Sequence, residues 1–140
     1  MENSDPYYAI AVVKGTAPDG VTPITGTVQF TQRLGQQVQI TVNVTGLPKG
    51  DHGFHVHEFG DLSNGCTSAG AHYNPLGLNH GGPGSEIRHV GDLGNLTSDG
   101  TNPTVVTIQD HLVNIYGNEN NVVGRSVVLH ADPDDLGLGG

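Results

Sequence analysis

The chain has 140 residues and a formal net charge of −9, with 5 lysines and arginines against 14 acidic residues. That balance excludes the basic patches by which nucleic acids and anionic membranes are held. The length suits one domain over residues 1–140 with a real core, and nothing approaches the roughly 20 consecutive apolar residues of a membrane helix.

The opening residues, Met1-Glu2-Asn3-Ser4-Asp5-Pro6, lack the basic start and apolar stretch of a signal peptide, so the expected location is cytoplasmic. Period-two alternation then predicts strands at residues 8–14, 26–31 and 37–45. The last is the clearest, with Val38, Ile40, Val42 and Val44 alternating with polar residues. A fourth strand is expected at 53–58, carrying His55 and His57. Residues two apart on a strand share a face, about 6.6 Å apart along it, so both imidazoles can reach one ion. Taken alone, the pair equally fits a half-buried strand with polar residues on its wet face.

Residues 59–95 form a connection far longer than usual, and loops above about 15 residues are usually functional or disordered. This one holds His72, His80, His89 and Asp92, together with the single cysteine, Cys66. Each histidine taken singly reads as a solvated side chain. Three imidazoles and a carboxylate in one glycine-rich stretch instead suit a closed tetrahedral zinc site, and imidazole also suits copper. Such an ion would order a loop that has little core of its own.

Further strands are expected at 104–109, 112–116 and 125–130, the last ending in Val127-Val128-Leu129-His130. Turn signals such as Pro18-Asp19-Gly20 and Ser98-Asp99-Gly100 separate the runs. Seven short strands imply an all-β fold, an antiparallel β-sandwich or flattened barrel. Asn43-Val44-Thr45 and Asn95-Leu96-Thr97 match the glycosylation acceptor pattern and, without a secretion signal, read as coincidence.

Several stretches together carry a resemblance. They are Gly53-Phe54-His55-Val56-His57-Glu58, Gly65-Cys66-Thr67-Ser68-Ala69-Gly70-Ala71-His72-Tyr73-Asn74-Pro75, Arg88-His89-Val90-Gly91-Asp92-Leu93-Gly94-Asn95 and Gly124-Arg125-Ser126-Val127-Val128-Leu129-His130, followed by Asp134-Asp135-Leu136-Gly137. From about Ala9 to Gly140 the chain resembles the copper/zinc superoxide dismutase family. The resemblance implies a Greek-key sandwich with copper on His55, His57, His72 and His130, and zinc on His72, His80, His89 and Asp92. His72 would then be an imidazolate shared by the two metals. Asp134 would hydrogen-bond one ligand of each metal, His55 and His80. The implied reaction is disproportionation of superoxide anion, with His72 taking up and delivering a proton.

The same resemblance implies a homodimer and possible delivery of copper by a chaperone. His52 and His111 match no ligand position and read as surface residues. Members of the family continue beyond the position of Gly140. That continuation carries an arginine beside the copper, a partner for Cys66 and a final strand. On this reading the chain lacks that segment, which leaves its catalytic efficiency open. The rival is a copper/zinc-binding or copper-buffering protein without efficient catalysis, although buffering does not need two metals sharing one imidazole.

Overall fold

The computed structural model describes residues 5–132 and 134, the side chains of Gly65 and Cys66 excepted, so the reading of the Cys66 thiol lies outside the described residues. The elements run β1 (Tyr7–Thr16), β2 (Pro23–Gln32), β3 (Val38–Thr45), β4 (Gly50–His57), α1 (Gly65–Ala69), β5 (Asp92–Ser98), β6 (Thr104–Asp110) and β7 (Ser126–Leu129). They form a four-stranded sheet in the order β1-β2-β3-β6 and a three-stranded sheet in the order β5-β4-β7. Every ladder is antiparallel. This is the all-β sandwich that the alternating pattern predicts.

The core lies between the sheets. Val38, Ile40, Val42 and Val44 of β3, with Val28 and Phe30 of β2, face Phe54 and Val56 of β4 and Leu93 and Leu96 of β5. All four β3 residues are fully buried. Each such side chain contributes about 1.5–3 kcal/mol relative to its exposed state. Strand β4 is the middle strand of its sheet, so both its edges are fixed by neighbours.

The β4–β5 register slips between Gly53 and His55. On its other edge Gly53 bonds the segment after β7: its N–H donates to the Asp132 carbonyl at 2.9 Å, and its carbonyl accepts from His130 N–H at 2.9 Å. These bonds continue the β4–β7 pairing past Leu129 and lay residues 130–132 along β4.

Two expectations need correction. Residues 112–116 do not form a ladder strand; only an isolated bridge joins Asn114 to Asn121. Side chains have claimed the amides of this segment: Asp110 Oδ2 accepts from Leu112 and Val113, and Gln32 Oε1 accepts from Ile115. Conversely, residues 92–95, expected within the long connection, open strand β5. Asp92 and Gly94 occupy positions where an alternating strand would show apolar side chains, which conceals it.

Candidate metal centre

On β4, Phe54 and Val56 point into the core and His55 and His57 point to the opposite face. Those histidines are nonetheless only 3% and 6% exposed, because the long loop covers them. Three backbone bonds clamp the loop down: Val56 N–H to Gly91 O at 2.9 Å, Tyr73 N–H to Val56 O at 2.8 Å and Gly91 N–H to Tyr73 O at 3.0 Å. His72 precedes one clamped residue and Asp92 follows another, so both are delivered to the His55/His57 face.

The result is two overlapping groups of ligand atoms. One nitrogen from each of His55, His57, His72 and His130 lies within 4.8 Å of the others, as do ligand atoms of His55, His72, His80 and Asp92. His89 joins the second group, its Nδ1 lying 3.3 Å from His72 Nδ1. Around Asp92 Oδ1 stand His80 Nδ1 at 2.9 Å, His72 Nδ1 at 3.1 Å and His89 Nδ1 at 3.4 Å. Ligands bonded tetrahedrally at about 2.0–2.2 Å are separated from one another by roughly 3.3–3.6 Å. The observed spacings come within a few tenths of an ångström of that edge. The other Asp92 oxygen accepts from the N–H groups of Gly81 at 3.0 Å and His89 at 2.8 Å, which orients the carboxylate.

Hydrogen bonds on the outer side of the rings decide which nitrogens face inward. His57 Nδ1 donates to the Gly70 carbonyl at 2.9 Å. Gly70 has φ of 81°, a left-handed conformation that favours glycine, and a Cβ there would meet the Phe59 ring at 2.8 Å. His55 Nε2 donates to Asp134 Oδ1 at 3.1 Å, and His80 Nε2 donates to the same oxygen at 2.7 Å. Among the described residues, His55 Nδ1, His57 Nε2 and His130 Nε2 are then buried with no hydrogen-bond partner. A buried, unsatisfied polar atom costs about 1–3 kcal/mol. Three converging lone pairs of this kind fit a bound cation, and all-imidazole donors suit copper.

The electrostatics favour the metal-binding protonation states. Burial lowers the pKa of His55 to about 4, helped by His72 and His130 and opposed by Asp134. Burial also lowers His57, His89 and His130. At His80 burial acts downward as well, but Asp92 and Asp134 together outweigh it and the pKa rises. Asp92 stays ionised: burial would raise its pKa, yet hydrogen bonds from His72, Gly81 and His89 bring it well below the usual carboxylate range. An open pocket of about 390 Å³ leads to the centre, lined by Gly53, His55, His72, His130, Ala131, Asp132 and Asp134.

Every predicted ligand is therefore in one cluster. His111 is exposed, as expected. His52 is not a surface residue but 3% exposed, with Nδ1 3.0 Å from the His130 carbonyl and Nε2 2.8 Å from the Pro48 carbonyl. Its place in the β4 alternation, facing the same way as Phe54 and Val56, was the available signal. Asn95 was also passed over as a functional residue; its side chain bonds the backbone of Asp134.

Residues 24–139 match the family model described as copper/zinc superoxide dismutase. The chain is 50% identical over 136 residues to a superoxide dismutase [Cu-Zn] of Paramecium bursaria Chlorella virus 1, covering 96% of this chain and 68% of the viral protein. It is 50% identical to the extracellular superoxide dismutase [Cu-Zn] of Drosophila melanogaster, over 96% of this chain and 74% of that one. It is also 50% identical to superoxide dismutase [Cu-Zn] 4 of Dictyostelium discoideum, over 94% and 84%.

Proposed function

We infer the function from one premise: the chain belongs to the copper/zinc superoxide dismutase family. It is an oxidoreductase that converts two superoxide anions and two protons into dioxygen and hydrogen peroxide, with copper and zinc as cofactors. The buffering alternative is not favoured by this kinship.

We assign copper to His55, His57, His72 and His130, and zinc to His72, His80, His89 and Asp92. The observation that carries the assignment is that the two ligand groups share His55 and His72, and that His55 turns its Nε2 to Asp134 while His72 Nδ1 faces Asp92 and His89, which leaves His72 as the residue directed at both. When bound, copper supplies the one-electron couple that oxidises one superoxide and reduces the next, and zinc supplies charge without redox change. The rest falls to the chain's own groups. His72, half-buried at the pocket, holds and passes a proton at Nε2. Gly70 and Asp134 fix the tautomers of His57, His55 and His80, as partners on the far side of ligand rings generally do. Gly53, without a side chain, keeps the pocket open beside His55 and His130: a Cβ there would come within 3.4 Å of both rings.

The proposal also comprises a single domain, a cytoplasmic location, a homodimer and possible chaperone-assisted copper loading. One relative is named extracellular, so cell fractionation and sizing are the relevant checks on location and assembly. The site assignment is tested by loading the full chain with both metals and measuring dismutation per copper. One copper and one zinc per chain with turnover well above that of free copper is expected. Binding of both metals without turnover would overturn the catalytic reading.

A further inference from the structure

Asp134 ties together members of the two ligand groups, accepting from His55 at 3.1 Å and from His80 at 2.7 Å on the same oxygen. What places that oxygen is a separate question, because Asp134 lies outside every strand. The answer comes from β5. Asn95 Nδ2 donates to the Asp134 carbonyl at 3.2 Å, and Asp134 N–H donates to Asn95 Oδ1 at 2.6 Å. One amide side chain thus satisfies both backbone polar groups of Asp134, across 39 positions in sequence.

Asn95 is well suited to this. It pairs with Gly53 in the β4–β5 ladder, at the last paired position before the register shift. Gly53 in turn bonds Asp132 and His130. The Gly53/Asn95 pair therefore holds His130, Asp132 and Asp134 against paired strands, and a site built on strands keeps its geometry better than one built on loops. With its amide committed in this way, Asn95 is also a poor candidate for the glycan that Asn95-Leu96-Thr97 would otherwise suggest.

We propose that Asn95 is a positioning residue of the metal centre, acting through Asp134 to set the orientation of His55 and His80 and thereby coupling the two ligand groups. The inference rests on the metal assignment above. It does not require Asn95 to touch either metal or substrate.

The test is zinc affinity of the full chain by chelator competition, in wild type, Asn95→Leu, Asp134→Ala and the double variant. Asn95→Ala serves as a smaller replacement, and far-UV circular dichroism checks that each variant is folded. Losing a partner on the far side of a ligand typically costs about 10–100-fold in metal affinity. That loss is expected for Asn95→Leu and Asn95→Ala, with a shifted visible absorption band in the copper-loaded protein. In the Asp134→Ala background, where no side-chain oxygen remains to accept from His55 and His80, the same Asn95 replacement should change zinc affinity by no more than about twofold, since the effect has no route left. A folded Asn95 variant with wild-type zinc affinity would overturn the proposal. So would a loss that persists undiminished when Asp134 is already replaced. Wild-type protein that binds no zinc would instead sink the metal assignment and this inference with it.

Discussion

The Arg88 guanidinium, fully buried, grips the Asp110 carboxylate through two bonds of 2.7 and 3.3 Å. This pair ties the long loop to β6 of the opposite sheet. Arg88 also donates to the carbonyls of His89 at 3.0 Å, Pro83 at 3.1 Å and Val90 at 2.9 Å. Removing one charge of such a pair strands the other, at about 3–5 kcal/mol. Asp110→Asn is therefore expected to lower the stability of the metal-free chain by that amount in urea unfolding. Replacing both residues with apolar ones, often neutral elsewhere, is expected to remain costly here. Three loop carbonyls would lose their donor.

Gly91 sits at the centre of the loop clamp, where its carbonyl accepts from Val56 and its N–H donates to Tyr73. A Cβ at Gly91 would lie 2.2 Å from the Val56 carbonyl oxygen, a backbone atom that cannot step aside. Overpacking costs about 1–3 kcal/mol and sometimes more. Gly91→Ala is expected to reach or exceed that range and to raise the rate of zinc release to a chelator, since Asp92 is the next residue. A melting temperature and zinc off-rate equal to wild type would count against the clamp.

The sheets and the pairing of His55 with His57 could be read from the chain because they obey local rules. Val38 to Val44 alternate, and His55 and His57 share a face by strand geometry alone. Membership of His72, His80, His89 and Asp92 in one site was legible as composition and spacing within a glycine-rich stretch. Their convergence was not, because it depends on the Val56–Gly91–Tyr73 clamp between distant residues. For the same reason residues 112–116 were misread: side-chain acceptors on Asp110 and Gln32 replaced the ladder that their apolar pattern suggested. His52 and Asn95 were missed because each acts on the backbone of a remote residue, His130 or Asp134.

The metal-free protein should lose stability as pH falls below about 6.5. In the folded state burial lowers the pKa of His55 to about 4 and also lowers His57, His89 and His130. Between the unfolded value and these folded values the unfolded chain binds more protons, so acid favours unfolding. Asp92, lowered as well, extends the loss to more acid pH. His80 is raised and opposes the trend, its contribution being full below 6.5 and lost as pH climbs through its folded value. Four histidines outnumber one, so the urea midpoint should decline steadily from pH 7 to pH 4. Metal loading should flatten the curve, because coordinated nitrogens cannot take up protons without releasing the ion.

Asp132 places a negative charge at the mouth of the pocket, in the way of an anionic substrate. Asp132, exposed, lines the pocket together with Asp134, and no lysine or arginine is among the described lining residues. For a superoxide anion still about 10 Å from one carboxylate, the repulsion in water is about 0.4 kcal/mol, worth roughly a factor of two in local concentration. Asp132→Asn should therefore raise the dismutation rate about twofold at low ionic strength. The advantage should vanish near 1 M salt, where the screening length is about 3 Å. Azide, a small anion, should follow the same pattern when its binding to the copper-loaded protein is read by absorption. Equal rates and equal azide affinities for wild type and variant at low salt would show that Asp132 lies outside the path of approach.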